Sequence, residues 1–452
     1  MSIGPVIKFG GTSLGTPEAL GRAVRHVLRA PGRPLVVVSA VSGVTDLLLD
    51  AAERARTSGD HGELVEEIGR RHRAIADAVG LEHFEIERVE AELQRLLGGV
   101  KMLGELSPRV HDALVSLGER TSVELVAAAL NRAGRPAAAH LSGDLGLVTD
   151  GNHGRAEPLP DVNARIAAAV GALDPQAIPV VTGFLGKSEQ GEITTLGRGG
   201  SDFSAALFGA ALGASEIQIW TDVPGILRAD PGVVPEAGVV PEMGFEEAAE
   251  LAYFGARVLH PRTLAPVRAA GIPLRVLSTF DVDPDDPTPL SEQGTVIRAG
   301  CPDERVRALA IQKQVQSLHL HSLRMMAAPG FLNRVFEILA RHGISVDVIA
   351  TSEVSVSMTL DPIYEGDLER AMEELRAFAE VERVPGRSIL CLVGAGFRTD
   401  TTLLSRIFKV LAEQGVPVHV ISQGASRINI TIVTEPPFGE QAMRALHREL
   451  FG

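Results

Sequence analysis

The sequence predicts an α/β protein in which a mainly parallel sheet sandwiched by helices precedes two smaller α+β modules. Three observations lead there. Up to about residue 300, short apolar runs ending in small-residue turns alternate with helical apolar periodicity, as strand–helix crossovers do. Residues 281–289 then hold three prolines and four aspartates, which is loop chemistry and breaks the pattern. Beyond that break the chain repeats itself with a shift of 72 residues.

In chain order, residues 4–9 and 34–40 are apolar runs followed by Gly10-Gly11 and Ser42-Gly43, and read as buried strands. Between residues 59 and 129 the text turns helical. Leu64, Ile68, Ile75 and Val79, then Leu93, Leu96, Leu97, Val100 and Leu103, recur at three- and four-residue spacing and form core-facing stripes. Residues 178–184, 216–220 and 272–278 return to strand character, and 203–212 reads as a helix. In the repeat, Phe331 aligns with Leu403, Phe336 with Phe408, Gly343 with Gly415 and Val346 with Val418. Each copy is a helix, a glycine stop and an alternating strand, then a second strand at 354–360 or 428–433 and an amphipathic helix from Asp367 or Phe438. Units of about 70 residues bury little alone, so pairing between copies or between chains is expected.

Composition removes several function classes. Acidic side chains number 57 against 43 basic, leaving a formal charge of −14 with no Lys/Arg block, which argues against a phosphate-tracking nucleic-acid binder. Aromatics make up only 4%, so few faces exist on which bases could stack. Cys301 and Cys391 lack CxxC partners, so neither a disulfide framework nor a cysteine zinc site is available, and a reducing compartment is expected. Nowhere do about 18 apolar residues run together, so no membrane span is expected. The first apolar run, broken by Lys8, fits a strand better than a signal peptide. A soluble cytoplasmic protein is the resulting expectation.

Three strand-end turns carry candidate chemistry. Lys8-Phe9-Gly10-Gly11-Thr12-Ser13 combines a point charge, hydroxyls and glycines that let backbone N–H groups approach a phosphate, though an ordinary strand–helix turn reads the same way. It is not the GxxxxGK[ST] loop, because its lysine precedes the glycines. In Thr195-Leu196-Gly197-Arg198-Gly199-Gly200-Ser201-Asp202, Ser201 and Asp202 are candidates to cap the next helix. Arg198, set between glycines, suits a two-point grip on a carboxylate. Trp220-Thr221-Asp222-Val223-Pro224-Gly225 is the third, with Asp222 either a turn former or a ligand of a nucleotide or metal. Val393-Gly394-Ala395-Gly396 fails as GxGxxG, because Thr399 takes the last glycine's place.

Together with Val38-Ser39-Ala40, Gly118-Glu119-Arg120 and residues 254–261, these motifs stand in the order and spacing of aspartate kinases. The chain resembles the single-function, lysine-sensitive type over nearly its whole length, without room for the homoserine dehydrogenase half of bifunctional relatives. His319-Leu320-His321-Ser322-Leu323, residues 331–347 and residues 351–356 resemble that family's ACT modules. The resemblance implies an amino-acid-kinase catalytic domain at 1–300 and ACT-type (βαββαβ) modules at 312–386 and 387–452.

It further implies transfer of the γ-phosphoryl group of Mg-ATP to the side-chain carboxylate of L-aspartate, giving 4-phospho-L-aspartate. Lys8 and Asp202 then take the catalytic positions, Lys8 against phosphoryl charge and Asp202 orienting it. Arg198 clamps the substrate α-carboxylate and Glu119 its ammonium, with Ser39 and Thr45 donating hydroxyls and Phe184, Gly199, Gly200 and Ser201 alongside. ATP falls to Lys8, Gly10, Gly11, Ser13, Thr221 and Asp222. Leu227, Gly232 and Arg257 stand where the family often has an aromatic residue, an arginine and a lysine. No protein ligand of Mg2+ is assigned. L-Lysine is the implied effector, at Met325, Ala328, Phe331, Leu332, Ser345, Val346, Asp347, Ser352 and Glu353 of the first module, across a subunit interface of a homo-oligomer, dimer or tetramer. In the repeat Asp347 faces His419 and Ser352-Glu353 faces Gly424-Ala425, so only the first copy offers carboxylates to a cationic amino acid. Two other readings stand: a kinase of a related acid such as glutamate or N-acetylglutamate, and a catalytically silent amino-acid sensor.

Overall fold

Near-continuous apolar runs suit strands covered on both faces, and β1 (Val6–Phe9) and β2 (Leu35–Val38) are buried at every residue. A computed structural model describes residues 3–81, 84–254, 259–286, 288–302, 306–326, 329–361 and 365–452. They fall into one unit from Met1–Ile226, Pro241–Phe245 and Val258–Gly300, and another from Leu227–Val240, Glu246–Arg257 and Cys301–Gly452.

In the first unit, α1 (Pro17–Arg29) links β1 to β2, its first turn fixed by the Thr16 side chain accepting from the Ala19 N–H and by Pro17 at the first helical position. Then come α2 (Val44–Thr57), α3 (Gly62–Ala78), α4 (Glu87–Leu103) and the long α5 (Pro108–Arg132). The apolar stripes of α3 and α4 enter or pack against one core with β1, β2 and α5, except for Leu103, which the last turn of α4 leaves exposed. The chain continues through β3 (Ala137–His140), β4 (Val148–Thr149), α6 (Val162–Gly171), β5 (Ile178–Thr182), β6 (Leu185–Ser188), β7 (Ile193–Thr195), α7 (Gly200–Leu212), β8 (Ile217–Thr221) and β9 (Glu242–Met243). After α8 (Phe245–Tyr253), most of which belongs to the second unit, α9 (Pro261–Ala270), β10 (Leu274–Ser278) and β11 (Thr295–Ile297) complete it.

The main sheet runs β3-β5-β2-β1-β8-β10-β11-β9, parallel from β3 to β10 and antiparallel only at β10/β11. Chain order reverses at β1, with β2 on one side and β8 on the other. Open parallel sheets bind ligands outside the carboxyl ends of their strands at such a reversal. The three candidate turns lie at or near that edge, and the small sheet β4-β6-β7 delivers the Arg198 turn.

The second unit holds the repeat: β12 (Ala308–His321), α10 (Phe331–Arg341), β13 (Val346–Thr351), β14 (Ser355–Leu360), α11 (Glu365–Arg376), β15 (Glu380–Val393), α12 (Thr402–Glu413), β16 (Val420–Ser422), β17 (Asn429–Thr434) and α13 (Pro436–Phe451). Both repeated helices stop before a left-handed glycine, Gly343 and Gly415. One antiparallel sheet, β13-β14-β12-β15-β17-β16, runs through both copies because β12 and β15 are each 14 residues long. The second half of β12 pairs with β14 and the start of β15, while residues 308–312 pair with Ile389–Val393. The second module's sheet is therefore completed by chain that precedes the first module. No helix among the described residues is long and apolar enough to cross a membrane.

Candidate active site

A cavity of about 690 Å³ opens at the carboxyl ends of β1, β2 and β8, lined by Lys8, Gly10 and Gly11, by Ser39 and Ala40, and by Thr221 and Asp222. The turn between β7 and α7 supplies Arg198 through Asp202, α5 supplies Glu119, and α2 supplies Thr45.

Lys8, next to last in β1, is almost buried, and its Nζ lies 2.7 Å from Asp202 Oδ1. The cap expected from Ser201 or Asp202 does not form. α7 already begins at Gly200, its N-cap is Gly199 without a side-chain bond, and Asp202 spends its carboxylate on Lys8. The positive end of the α7 dipole thus faces the cavity beside the lysine, a setting for anions. Gly197 and Gly199 both take left-handed backbone, φ 75° and 70°, so the turn holds the exposed Arg198 at the cavity wall. Phe184, another lining residue, has φ 63°, an unusual conformation for a bulky side chain.

Glu119 is 4% exposed. Its Oε1 accepts the Ala40 N–H at 3.0 Å, an approach permitted by Gly118, where a Cβ would stand 2.6 Å from that of Ala40. Oε2 has no partner. Burial pushes the carboxyl up to about 7, against the pull of the Ala40 N–H and the Lys8 charge. A buried, half-satisfied carboxylate in a cavity wall is a seat for a cation. If it holds the substrate ammonium, its charged form is the binding form. The KM for L-aspartate should then rise as pH falls below about 7, approaching roughly tenfold per unit, while the KM for ATP stays flat. Steady-state kinetics across that range check this, and a flat aspartate KM would remove Glu119 from the substrate.

One expected residue of the first unit does not reach the cavity. Ser13 is fully buried, its hydroxyl held by Thr279 Oγ1 at 2.7 Å and the Trp220 carbonyl at 3.3 Å, so it has no face toward a phosphate. Leu227 and Gly232 belong to the second unit, where Leu227 bridges Val239 and the Gly232 N–H closes a turn on Asp230. Arg257 lies outside the described residues. Thr12, named with the first candidate turn, lines the cavity; missed from the sequence were Ser42, His111 and Gly154, which also line it, and Asp112, the buried residue behind it. Its one sequence signal is its place seven residues before Glu119, on the same face of α5. Among the described residues, no group of three or more His, Cys, Asp or Glu is arranged to hold a metal ion.

In the second unit, Met325, Phe331 and Val346 pack against the first module's core, whereas Leu332, Ser345, Ser352 and Glu353 are exposed. Ser352 Oγ lies 2.7 Å from Ser355 Oγ. Asp347, on edge strand β13, accepts a hydrogen bond from the Tyr253 hydroxyl of α8. Burial pushes its carboxyl up to about 6, the Tyr253 bond opposing and the nearby Asp361 adding to the rise. Its counterpart His419 instead sits 2.9 Å from Arg387. Ala328 lies outside the described residues.

Comparison with known proteins agrees with this architecture. Residues 5–278 match the amino acid kinase family, and residues 321–377 and 390–450 match an ACT domain. Aspartokinase 2 of the Arabidopsis thaliana chloroplast is 39% identical over 465 residues, spanning 99% of this chain and 84% of that protein. Lysine-sensitive aspartokinase 3 of Escherichia coli K12 is 38% identical over 462 residues, 99% of each chain. The crystal structure of E. coli aspartokinase III with aspartate and ADP superposes with a TM-score of 0.84 at 36% identity over 100% of both chains. The same enzyme with lysine and aspartate gives 0.79 over 99% of this chain and 100% of that one. With the amino acid kinase match over residues 5–278, the ACT match beyond it and these full-length likenesses, this chain belongs to the aspartokinases of the amino acid kinase family.

Proposed function

We propose that the cavity transfers the γ-phosphoryl group of Mg-ATP to the side-chain carboxylate of L-aspartate, and that L-lysine inhibits the enzyme through its first ACT module. One observation carries the catalytic half. A single cavity presents the unpartnered Oε2 of buried Glu119, suited to an ammonium, the Arg198 guanidinium, suited to a carboxylate, and Lys8 beside the α7 N-terminus, suited to phosphoryl charge.

The substrate carboxylate, with a reference pKa of about 3.9, is ionised at neutral pH and needs no base. One of its oxygens forms the bond to the γ-phosphorus as the bond from that phosphorus to the bridging oxygen breaks, and ADP departs with the electron pair. Lys8 and the α7 dipole stabilise charge on the transferring group, and Asp202 holds the Lys8 ammonium in place. Mg2+ brought in with the nucleotide would neutralise part of its phosphate charge. The first strand-end turn and Thr221-Asp222 are the nucleotide's places in the cavity, in keeping with a similar enzyme solved with aspartate and ADP. Glu119 favours a free α-ammonium over N-acetylglutamate, and Lys8, Arg198 and Asp202 together speak against a silent sensor.

The regulatory half rests on Asp347 and Glu353 in the first copy, on His419 and Ala425 opposite them in the second, and on likeness to a lysine-sensitive relative. Edge strands β13 and β16, with Ile349 and Ile421 exposed, are suited to pairing with a second copy in a homo-oligomer. The two cysteines, neither in a disulfide, suit the cytoplasm.

ADP release measured with L-aspartate, L-glutamate, N-acetylglutamate and no acceptor tests the assignment; dependence on L-aspartate alone is expected, and equal rates without acceptor would reject it. In the same assay Arg198→Lys should raise the KM for aspartate far more than that for ATP, since an ammonium lacks the planar two-point grip. Equal rises would move Arg198 to the nucleotide.

A further inference from the structure

Asp112 has no exposed surface, although burying a carboxylate is costly unless donors surround it. Donors from three segments do so. Oδ1 accepts from the Thr195 hydroxyl at 2.8 Å and faces His111 Nδ1 at 3.3 Å. Oδ2 accepts from the N–H groups of Gly154 at 2.9 Å and Thr195 at 3.1 Å, and faces His153 Nδ1 at 3.0 Å. Burial works to raise the carboxyl's pKa, but these bonds outweigh it and hold the group below its ordinary value.

The arrangement ties together the two elements that carry the substrate groups. Asp112 lies on α5, two helical turns before Glu119 and on the same face. Thr195 is the last residue of β7, three before Arg198. Gly154 backs the same turn, for a Cβ on Gly197 would lie 3.3 Å from the Gly154 carbonyl oxygen. The helix bearing Glu119 and the turn bearing Arg198 are thus fastened to one carboxylate.

We propose that Asp112 is a positioning residue for the amino-acid substrate: it fixes the separation of Glu119 and Arg198 and so matches the site to the ammonium and α-carboxylate of L-aspartate. This rests on the reading of Glu119 and Arg198 given above. Asp112 does not touch the substrate and acts only through those two groups.

Asp112→Asn keeps the shape but presents an NH2 group to a ring of donors. It should raise the KM for L-aspartate about 10- to 100-fold, the scale on which misplaced binding groups act, with the KM for ATP and kcat at saturating aspartate nearly unchanged. Thr195→Val removes only the hydroxyl donor and should shift the aspartate KM in the same direction by less, which keeps the test open if the Asn variant fails to fold. Combined with Arg198→Lys, Asp112→Asn should add less than its own single loss, because the share that acts through Arg198 is already gone and only the share through Glu119 remains. Equal rises in both KM values, a fall in kcat alone, or fully additive losses in the double variant would overturn the proposal. An unchanged aspartate KM in Arg198→Lys alone would instead remove the substrate reading of Arg198, and the proposal with it.

Discussion

Replacing Lys8 by alanine should lower kcat on the order of 100-fold or more while the chain still folds, the scale lost when one charge-stabilising donor is removed from a preorganised site. Lys8 is almost buried and spends its ammonium on Asp202, so the variant leaves that carboxylate without its cation in the first turn of α7. The helix dipole offsets part of that loss, and a small fall in melting temperature is expected alongside a large fall in turnover. ADP release at saturating L-aspartate and ATP, with a thermal melt of the same preparation, separates the two. A variant retaining more than half of the activity would show that Lys8 does not face the transferring phosphoryl.

Asp347→Ala should desensitise the enzyme to L-lysine without lowering its uninhibited rate. Allosteric coupling of about 1–3 kcal/mol changes apparent affinity roughly 5- to 150-fold, and it acts reciprocally, so L-aspartate and ATP must weaken lysine binding by the factor that lysine weakens theirs. The substitution removes the first module's half-buried carboxylate and leaves the Tyr253 hydroxyl, on an exposed residue, to water. Calorimetry on both proteins decides. Equal lysine affinity in wild type and variant, or none in the wild type, would reject Asp347 as the cation's partner and turn attention to threonine or another amino acid.

Strand ends and glycine turns were readable because they are local. The run before Gly10-Gly11 and the glycines around Arg198 announce where backbone must bend, and the sheet then gathers those ends at one cavity. What the sequence concealed depends on partners far along the chain. Whether the Ser13 hydroxyl turns to a phosphate or to the core is decided by Thr279, 266 residues away. Asp112 draws its donors from the neighbouring His111 and from His153, Gly154 and Thr195, 41, 42 and 83 residues on, so no window around it shows a site. The pairing of residues 308–312 with the end of β15 is likewise set by a register spanning the whole first module. The core that α8 serves is set equally far along the chain. Its Glu247 accepts the Ala395 N–H and its Glu250 the Asn429 amide, both in the second unit.

The most direct measurement is chemical trapping of the product. With ATP, Mg2+ and L-aspartate, hydroxylamine should intercept an acyl phosphate and give aspartyl hydroxamate in one-to-one proportion with ADP released, and L-glutamate should give none. ADP release without hydroxamate, or hydroxamate formed equally well from L-glutamate, would contradict phosphoryl transfer to the aspartate side chain in the cavity of Lys8, Glu119 and Arg198.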